Sequence, residues 1–399
     1  MPSLPSATVM LQQGRERPVL AHHPWVFSGA IARVIGRPAD GDEVDVQTGA
    51  GEWVARGTWS SASQIRVRLF TWDDREHLEP DLIRARLERA FALRQQLPLT
   101  HRSNAYRVVY SEADGLPGLI VDRYGDDLVI QILTQGMAVR LEQVLELLVQ
   151  VFAPRSIYER SDADVRQKEG LPQESGLRWG APAPAAIQFR THDLSFSVDW
   201  RDGQKTGFYL DQSDNRLRVA SYAVGREMLD CFCYSGGFAV YAARAGAPQI
   251  TAVDSSAGAL ARVATHMQQN QVHPELELVE ADVFKQLRQY RLEERDFDLI
   301  VLDPPKFAHS QQQIDRATRG YKDINMNAMR LLRQGGILAT FSCSGLLSAE
   351  LFQKVVFGAA LDARREVQIL ERLTQAADHP VLLSFPESEY LKGFICRVW

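Results

Sequence analysis

Short runs of alternating apolar and polar residues cover the first seventy positions of the chain. Two of these runs, Trp53–Ala55 and Ile65–Phe70, are flanked by Gly-containing turns, a pattern typical of β-strands. After position 73 the pattern changes, and apolar residues recur at near-helical spacing from Leu82 to Leu97. We therefore expect a small β-rich domain over residues 1–73, followed by a connecting helix.

A second set of strand-like runs begins near residue 105. These runs are Tyr106–Tyr110, Leu119–Asp122 and Leu128–Leu133. The last two flank Gly125-Asp126, which predicts a β-hairpin. An apolar helix is expected near 138–152, and the Pro-containing stretch 181–184 is expected to be a surface connection. Together these elements predict a central α+β domain over 74–200.

From about Glu227 onwards, strand-like and helix-like segments alternate. The strands are expected at Met228–Asp230, Ile250–Asp254, Leu276–Val279, Phe297–Asp303 and from Gly335, and the helices at 237–245, 257–270 and Ile324–Leu332. The alternating run Phe394–Trp399 predicts a terminal antiparallel strand. Such alternation predicts an α/β fold, a doubly wound and mostly parallel sheet. Over 201–399 we therefore expect a domain that binds its ligand at the carboxyl ends of the strands.

Composition limits the cell compartment and the partners. The chain has 399 residues, of which 45% are hydrophobic, and no run of 18 apolar residues or basic leader segment occurs. We expect neither secretion nor a membrane span. Four cysteines are too few for a disulfide framework, which favours the reducing cytoplasm and leaves thiols free. The net charge of −5 argues against non-specific coating of nucleic acid, but it permits a local basic cleft for RNA.

The segment Asp230–Phe238 lies where the first strand of the alternating region meets its first helix. It contains Tyr234, Ser235, Gly236 and Gly237. The two glycines allow the backbone to approach a ligand closely, and the helix N-terminus faces that ligand. This predicts a nucleotide-type site, although a glycine pair in a turn is equally common as a purely structural feature.

Acidic residues end the next strands. Asp254, followed by Ser255, stands 24 positions after Asp230, the spacing at which a carboxylate accepts hydrogen bonds from ribose hydroxyls. Asp282, followed by Val283, ends the following segment. Three acids would repel a pyrophosphate but suit a nucleoside with a cationic tail. We therefore expect S-adenosylmethionine as the cofactor.

Two further groups point to chemistry. Asp303-Pro-Pro-Lys306 follows the fourth strand, where the prolines hold the carboxylate toward the cleft. Cys343 ends the fifth strand and is expected to face the same cleft. A plain turn and a packed cysteine are the structural alternatives. The His and Cys spacings match no zinc site, so no metal is expected.

These motifs resemble the RlmI-type family of large-subunit (23S) ribosomal RNA cytosine-C5 methyltransferases nearly end to end. The matching segments are His23–Gly29, Asp114–Tyr124, Lys205–Gln212 with Asn215 and Arg216, Tyr234–Phe238, Asp303–Phe307, Phe341–Gly345 and Glu389–Gly393. The resemblance implies an N-terminal PUA domain, a central domain and a C-terminal Rossmann-like class I methyltransferase domain. It also implies that Phe208, Asp211 and Gln212 lie near the cofactor, whereas an entry loop capped by Asp214 or Asn215 is the structural alternative.

The implied reaction needs a thiolate, because carbon 5 of cytosine is a poor nucleophile until carbon 6 is bonded. Cys343 would form that bond, while Asp303, protonated or sharing a proton with N3, stabilises charge on the ring. Many RNA cytosine-C5 methyltransferases carry a second cysteine after the proline of the fourth-strand turn. This chain has Pro305-Lys306 there, so Cys343 alone remains for covalent work, and the base that removes the C5 proton is left open.

Ribosomal RNA is the expected partner, and a homodimer is compatible with the sequence. The candidates for RNA contact are Trp25, Lys306, Arg319 and Lys322, together with Phe27, Arg33 and Arg316. For each of them, a solvated or packed surface residue is the alternative. Three other functions stay open: RNA N-methylation at guanine or adenine, which needs no cysteine, a non-catalytic assembly factor, and a dehydrogenase, for which G-x-G-x-x-G is missing.

Overall fold

The computed structural model describes residues 5–181, 186–198, 207–308 and 310–399. Most of the connection predicted at 181–184, the domain boundary predicted at 200 and the start of the Lys205–Gln212 motif lie outside these residues. The chain forms two compact units. The N-terminal unit holds the residues up to Asp193, Ser197–Leu210 and Ala377–Ser388, and the C-terminal unit holds Leu194–Phe196, Asp211–Ala376 and Glu389–Trp399. The domain boundaries at 73 and 200 remain predictions.

The first sheet of the N-terminal unit is the β-rich segment expected from the alternating pattern. Its strands are β1 (Ala7–Leu11), β2 (Trp25–Phe27), β3 (Ile31–Gly36), β4 (Glu43–Gln47), β5 (Trp53–Trp59) and β6 (Ile65–Thr71), in the spatial order β2-β6-β5-β4-β1-β3. Every second residue of β1 and β4 is buried, so one face of the sheet carries the core. The helix α1 (Arg17–Leu20) adds a single turn.

The second sheet of this unit has the order β11-β10-β9-β8-β7. Its strands are β7 (Ala105–Tyr110), β8 (Leu119–Tyr124), β9 (Asp127–Ile132), β10 (Ser156–Ser161) and β11 (Glu174–Gly180), and its helices are α2 (Pro80–Gln95), α3 (Pro98–Arg102), α4 (Gln135–Ala138), α5 (Leu141–Phe152) and α6 (Asp164–Lys168). Antiparallel pairing of Tyr124 with Asp127 confirms the predicted hairpin. The apolar helix expected near 138–152 is α5. The short helix α4 precedes it, and Arg140 between the two helices leaves helical geometry.

A buried ion cluster joins the two sheets of the N-terminal unit. Arg68 on β6 donates to Glu112 at 2.7 Å and to Glu169 at 3.0 Å, and all three side chains are buried. Burial of these charges is tolerated because the guanidinium is paired with both carboxylates. Although burial by itself would raise it, the pKa of Glu112 is lowered by the charge of Arg68 and by hydrogen bonds from Ser111 and Trp25.

The strands β12 (Ile187–Thr191) and β13 (Leu194–Val198) follow, where the chain passes between the two units.

The C-terminal unit is built on a seven-stranded sheet in the order β16-β15-β14-β17-β18-β20-β19. The strands are β14 (Glu227–Cys231), β15 (Gln249–Asp254), β16 (Glu275–Glu280), β17 (Phe297–Leu302), β18 (Leu332–Ser342), β19 (Val367–Thr374) and β20 (Lys392–Val398). The first five run parallel, and β20 is antiparallel to both of its neighbours. The doubly wound sheet with an antiparallel last strand is thereby confirmed.

Helices connect these strands as the alternating pattern requires. They are α7 (Ser213–Ala220), α8 (Gly237–Ala245), α9 (Ala257–Gln269), α10 (Val283–Leu292), α11 (Ile314–Leu331) and α12 (Ala349–Ala363). The expectation that Leu332 is helical was wrong, because its backbone is extended and it pairs with Phe297 at the start of β18. No helix among the described residues is long and apolar enough to cross a membrane.

The central strands of the C-terminal unit are almost entirely buried and apolar, as expected for a sheet covered on both faces. Several polar residues stand where these apolar runs stop, at the carboxyl ends of the strands. Asp230 stands at the end of β14, Asp254 at the end of β15, Asp303 directly after β17 and Cys343 directly after β18. The topology places all four at one edge of the sheet.

Candidate active site

The turn between β14 and α8 has an unusual backbone, left-handed at three positions of which one is a glycine. Phe232, Tyr234 and Gly236 all have positive φ angles, of 59°, 48° and 77°. A Cβ on Gly236 would lie 2.8 Å from a methyl group of Val263, and one on Gly237 would lie 2.5 Å from Nε of Arg216. Both glycines are therefore required by close packing within the unit, and cofactor contact by this turn remains a prediction.

Asp254 holds this turn in place. Its Oδ2 accepts a hydrogen bond of 2.9 Å from the backbone N–H of Tyr234, and its Oδ1 accepts one of 3.0 Å from Ser256. Ser235 is buried, and its carbonyl accepts a 2.8 Å hydrogen bond from Nδ1 of His266. A carboxylate can accept about four hydrogen bonds, so Asp254 retains capacity for ribose hydroxyls while it braces the backbone.

Asp230 is the most unusual acid of the site. It is 1% exposed, and its Oδ2 accepts a 3.1 Å hydrogen bond from the N–H of Ala239. Its Oδ1 is buried and has no hydrogen-bond partner among the described residues. Burial, together with the negative charge of Asp303, raises the pKa of Asp230 to about 8. A cationic ligand group would supply the missing partner and favour the ionised form.

A buried cation, Arg216, stands beside these acids. Its side chain is 4% exposed and its guanidinium lies 5.9 Å from the ring centroid of Phe238. Burial lowers the pKa of Arg216, and the nearby Asp211, Asp230 and Asp303 raise it again. The positive charge limits the repulsion between the carboxylates. Arg216 belongs to one of the motifs named above, but the sequence alone assigned it no role. Its charge, four positions after Gln212, was the feature that could have indicated a place in the site.

Gln212 links Asp303 to the body of the C-terminal unit. Its Nε2 donates to Oδ1 of Asp303 at 3.0 Å, and its Oε1 accepts a 2.6 Å hydrogen bond from Asn215. The amide of Asn215 also donates to the carbonyl of Thr374 at 2.9 Å. Asp211 is buried and accepts a hydrogen bond from the hydroxyl of Tyr390. Gln212 and Asp303 are thus brought together.

Cys343 faces the Asp-Pro-Pro turn. Its Sγ lies 3.9 Å from the carbonyl oxygen of Pro304, the residue after Asp303, and the side chain is partly exposed. By contrast, the free thiols of Cys231, Cys233 and Cys396 are buried. Burial raises the pKa of each of these three thiols, so they are poor nucleophiles. Cys343 is the accessible cysteine beside the turn.

The positions of the remaining predicted cofactor residues give less indication of cofactor binding. Asp282 is exposed and caps α10, accepting a 2.9 Å hydrogen bond from the N–H of Lys285. Val283 is buried and Ser255 is exposed. Phe208 belongs to the N-terminal unit, where its ring packs 5.1 Å from that of Phe189. Cofactor contact by these residues remains a prediction.

Three of the predicted RNA-contacting residues lie in the C-terminal unit, and two of them have local partners. Lys306 is exposed, Arg319 donates to the carbonyl of Asp315 at 3.2 Å, and Lys322 pairs with Asp362 at 2.8 Å. Arg319 is itself exposed and Lys322 is partly exposed, so both charges remain accessible to solvent. RNA contact by all three residues remains a prediction.

Trp25, the fourth of these candidates, is half-buried in the N-terminal unit. Its indole N–H donates to Glu112 at 2.7 Å, and the guanidinium of Arg68 lies 5.5 Å from its ring centroid. These contacts give Trp25 a structural role between the two sheets, and RNA contact by its ring stays a prediction.

The N-terminal unit also contains an open cavity of about 250 Å³. His22, at φ 62°, stacks on Trp72 with ring centroids 4.7 Å apart and planes 2° from parallel. Arg86 and Arg89 of α2 line the same cavity, and although burial lowers the pKa of Arg86 to about 10, that guanidinium stays charged at neutral pH. Aromatic rings next to cations are a combination that binds nucleotides.

Two segments of the chain match known families. Residues 9–72 match a PUA-like domain, and residues 140–381 match the S-adenosylmethionine-dependent methyltransferase family. Proteins named ribosomal RNA large subunit methyltransferase I are similar over nearly the whole length. Identity is 48% for the protein of Shewanella amazonensis (99% of this chain and 100% of that protein), 50% for Shewanella denitrificans (98% and 99%) and 49% for Tolumonas auensis (98% and 99%).

Solved structures share the fold at low sequence identity. One is a SAM-dependent methyltransferase from Streptococcus mutans, 20% identical, with a TM-score of 0.85 over 98% of this chain and 99% of that chain. Another is a methyltransferase complexed with SAH, 21% identical, with a TM-score of 0.86 over the same shares. At this level of identity the likeness establishes the architecture.

Proposed function

The chain belongs to the family of S-adenosylmethionine-dependent large-subunit ribosomal RNA methyltransferases, and from this premise we propose that it methylates carbon 5 of a cytosine in that RNA through a covalent adduct with Cys343. The family named from the sequence motifs is confirmed, and so are the fold class and the cofactor. The observation that supports the finer proposal is the partly exposed Cys343 thiol, 3.9 Å from the carbonyl oxygen of Pro304.

The residues at the carboxyl ends of the strands fit S-adenosylmethionine. The unpartnered Oδ1 of Asp230 suits its cationic tail, the carboxylate of Asp254 suits ribose hydroxyls, and the Gly236-Gly237 turn allows close backbone approach. S-adenosylmethionine supplies an electrophilic methyl group on a sulfonium. The acids favour this cation and disfavour a pyrophosphate, which argues against a dehydrogenase.

Cys343 supplies the activation that carbon 5 of cytosine needs to act as a nucleophile. Its thiolate adds to carbon 6, the C5=C6 double bond opens, and carbon 5 becomes the nucleophilic end of an enamine. Carbon 5 then takes the methyl group, whose bonding electron pair would stay on the donor sulfur as a neutral thioether. Loss of the C5 proton to a base and expulsion of Cys343 restore the double bond, so the thiolate is regenerated and the C5 proton is the one released.

Asp303 holds the ring during this sequence. Its carboxyl group, protonated or sharing a proton with N3 of the base, stabilises the charge that develops when the thiolate adds. Gln212 fixes one of its oxygens by the 3.0 Å hydrogen bond, so that the carboxyl group is oriented before the substrate arrives. Such preorganisation lowers the barrier because no reorientation is needed during the reaction.

RNA binding is assigned to both units. In the N-terminal unit, Arg86 and Arg89 and the stacked His22 and Trp72 beside them provide phosphate and base contacts. The protein acts in the cytoplasm, where ribosomal RNA is found. In the C-terminal unit, the basic residues after the Asp-Pro-Pro turn hold the RNA backbone; these are Lys306, Arg319 and Lys322. The target base leaves its stack to reach Cys343.

Mass spectrometry of ribosomal RNA nucleosides tests this proposal. RNA from cells that lack the protein should lose one 5-methylcytosine, and complementation with Cys343→Ala should not restore it. Cys396→Ala is the matched control, because that thiol is buried on β20. An active Cys343→Ala enzyme would contradict the covalent route, and loss of a methylated guanine or adenine instead would establish N-methylation.

A further inference from the structure

Lys392, at the start of β20, has a buried ammonium group directed at the chain that follows Cys343. The residue is 7% exposed, and its Nζ donates to the carbonyl oxygens of Ser344 at 2.7 Å and Leu347 at 2.6 Å. Lysine is rarely buried unless its charge is paired. Here two backbone carbonyls account for two of the three ammonium donors.

The backbone pairing fixes how Lys392 stands relative to the thiol. In the antiparallel register, Lys392 pairs with Ser342, the residue immediately before Cys343. The turn Ser344–Leu347 is itself closed by a 3.0 Å hydrogen bond from the N–H of Leu347 to the carbonyl of Ser344. Lys392 therefore contacts the chain just beyond Cys343 while it pairs with the residue just before it.

The charged and titratable groups around Lys392 come from three other segments. Burial lowers the pKa of Lys392 to about 8, the Cys343 thiolate and Glu389 raise it, and Lys306 lowers it. Tyr321 on α11 also feels the Cys343 charge, although burial is the main reason that its pKa is raised. Because an electrostatic interaction is mutual, an ammonium that the thiolate stabilises also stabilises that thiolate.

We propose that Lys392 is a positioning residue for Cys343: its ammonium anchors the turn that follows the thiol and supplies the positive charge that favours the thiolate. This inference rests on the proposed covalent function of Cys343. It explains why a cation is retained at a buried position where an apolar residue would cost less. The charge is present at neutral pH and is lost above about pH 8.

Alkylation of Cys343 by iodoacetamide, followed peptide by peptide by mass spectrometry between pH 5 and pH 10, tests the proposal on the full chain. In the native protein the midpoint for Cys343 should lie below the ordinary thiol pKa of about 8.5. Lys392→Met, which keeps the volume but removes the charge, should slow alkylation at pH 7 about tenfold. Lys392→Arg should restore most of the rate. Lys354→Met, at an exposed lysine paired with Glu350, is the matched control.

The alkylation profile of the native protein tests the inference even if Lys392→Met fails to fold. A midpoint at or above about 8.5 in the native protein, or an unchanged midpoint in a folded Lys392→Met variant, would overturn the inference. Alkylation requires neither RNA nor cofactor. If Cys343→Ala retained methylation while the alkylation midpoint still depended on Lys392, the proposed function would fail and the role of the lysine in thiolate stabilisation would stand.

A kinetic measurement separates the positioning role from general destabilisation. Lys392→Met should lower kcat for methyl transfer and shift its acidic limb to higher pH, with the KM for S-adenosylmethionine unchanged. Lys392→Arg should recover the native acidic limb, because arginine restores the positive charge over that pH range. A purely structural role would lower the melting temperature and the amount of active enzyme without moving that profile.

Discussion

The side-chain amide of Gln212 donates a 3.0 Å hydrogen bond to Oδ1 of Asp303, and Asn215 in turn donates to the same amide at 2.6 Å. Gln212 precedes α7 and Asp303 follows β17, so this contact ties the Asp-Pro-Pro turn to a distant part of the C-terminal unit. Such a hydrogen bond contributes about 0.5–1.5 kcal/mol to a neutral carboxyl group and about 1.5–3 kcal/mol to an ionised one. The orientation of the Asp303 carboxyl group therefore depends on Gln212.

Replacing Gln212 by Ala should lower kcat by about tenfold or more, because the Asp303 carboxyl group loses its fixed orientation. Methyl transfer to ribosomal RNA, measured under saturating cofactor, checks this. Gln289→Ala is the control, since that amide, on α10, contacts the exposed Glu293 just after the helix. Equal rates for the native protein and Gln212→Ala would show that the hydrogen bond has no part in the reaction.

Replacing Asp230 by Asn should flatten the pH dependence of stability. Burial raises the pKa of Asp230 to about 8 in the folded chain, against about 3.9 when unfolded. The protonated carboxyl therefore contributes stability that is complete below about pH 4 and is lost as the pH rises to about 8. The amide of the substituted side chain cannot ionise, so the melting temperature of Asp230→Asn should fall less between pH 5 and pH 8.

The cofactor-free protein serves for this measurement, and Asp126→Asn, at an exposed carboxylate of the N-terminal unit, is the control. Asp230→Asn should also bind S-adenosylmethionine more weakly in calorimetry, because the anionic partner of its cationic tail is gone. Parallel melting curves of Asp230→Asn and the native protein across this pH range would argue against a raised pKa for Asp230.

Two glycines at opposite ends of α8 provide a matched pair. Gly236 and Gly246 both have positive φ angles, of 77° and 104°, so Ala at either position costs about 1–2 kcal/mol in backbone strain. A Cβ at Gly246 meets no atom within 4 Å, whereas one at Gly236 lies 2.8 Å from Val263. Gly236→Ala should therefore lower the melting temperature by more than Gly246→Ala does, and it alone should weaken cofactor binding, in calorimetry, at least about tenfold.

Periodicity predicted the architecture of the C-terminal unit because parallel strands that are covered on both faces are continuous apolar runs. The positions of Asp230, Asp254 and Asp303 follow from the same rule, since the strand ends are where the apolar runs stop. One boundary was wrong: Leu332 was placed in the helix, because a single apolar residue between two elements fits either of them.

Contacts made by long side chains could not be predicted. Arg216 and Lys392 lie in motifs that the sequence singled out, but their roles depend on what is brought next to them. Arg216 meets Gly237 only because α7 and α8 pack together, and Lys392 meets Ser344 only because β20 is inserted beside β18. Arg140, between α4 and α5, likewise donates to the carbonyl of Gly41, a residue far away in the sequence.

Arg89 tests the assignment of RNA binding to the N-terminal unit. It is exposed and lines the cavity next to the stacked His22 and Trp72. Arg89→Gln should weaken binding of an RNA fragment and reduce the slope of log Kd against log salt by about 1, because one phosphate contact is lost. Arg84→Gln on the same helix, where Arg84 contacts Gln150, is the control. Equal salt slopes for Arg89→Gln and the native protein would remove this cavity from the RNA interface.

A target RNA that carries 5-fluorocytosine should form a stable adduct with this protein. Addition of the Cys343 thiolate to carbon 6 and methylation of carbon 5 can both proceed, but a fluorine replaces the proton whose removal expels the thiolate. Intact-mass spectrometry should therefore detect the chain joined to methylated RNA, and the adduct should require S-adenosylmethionine. The Cys343→Ala variant should form no adduct. The Cys396→Ala variant, whose altered residue is buried in β20, should form as much adduct as the native protein. A native enzyme that methylates ordinary RNA but forms no adduct with the fluorinated RNA would exclude Cys343 as the nucleophile.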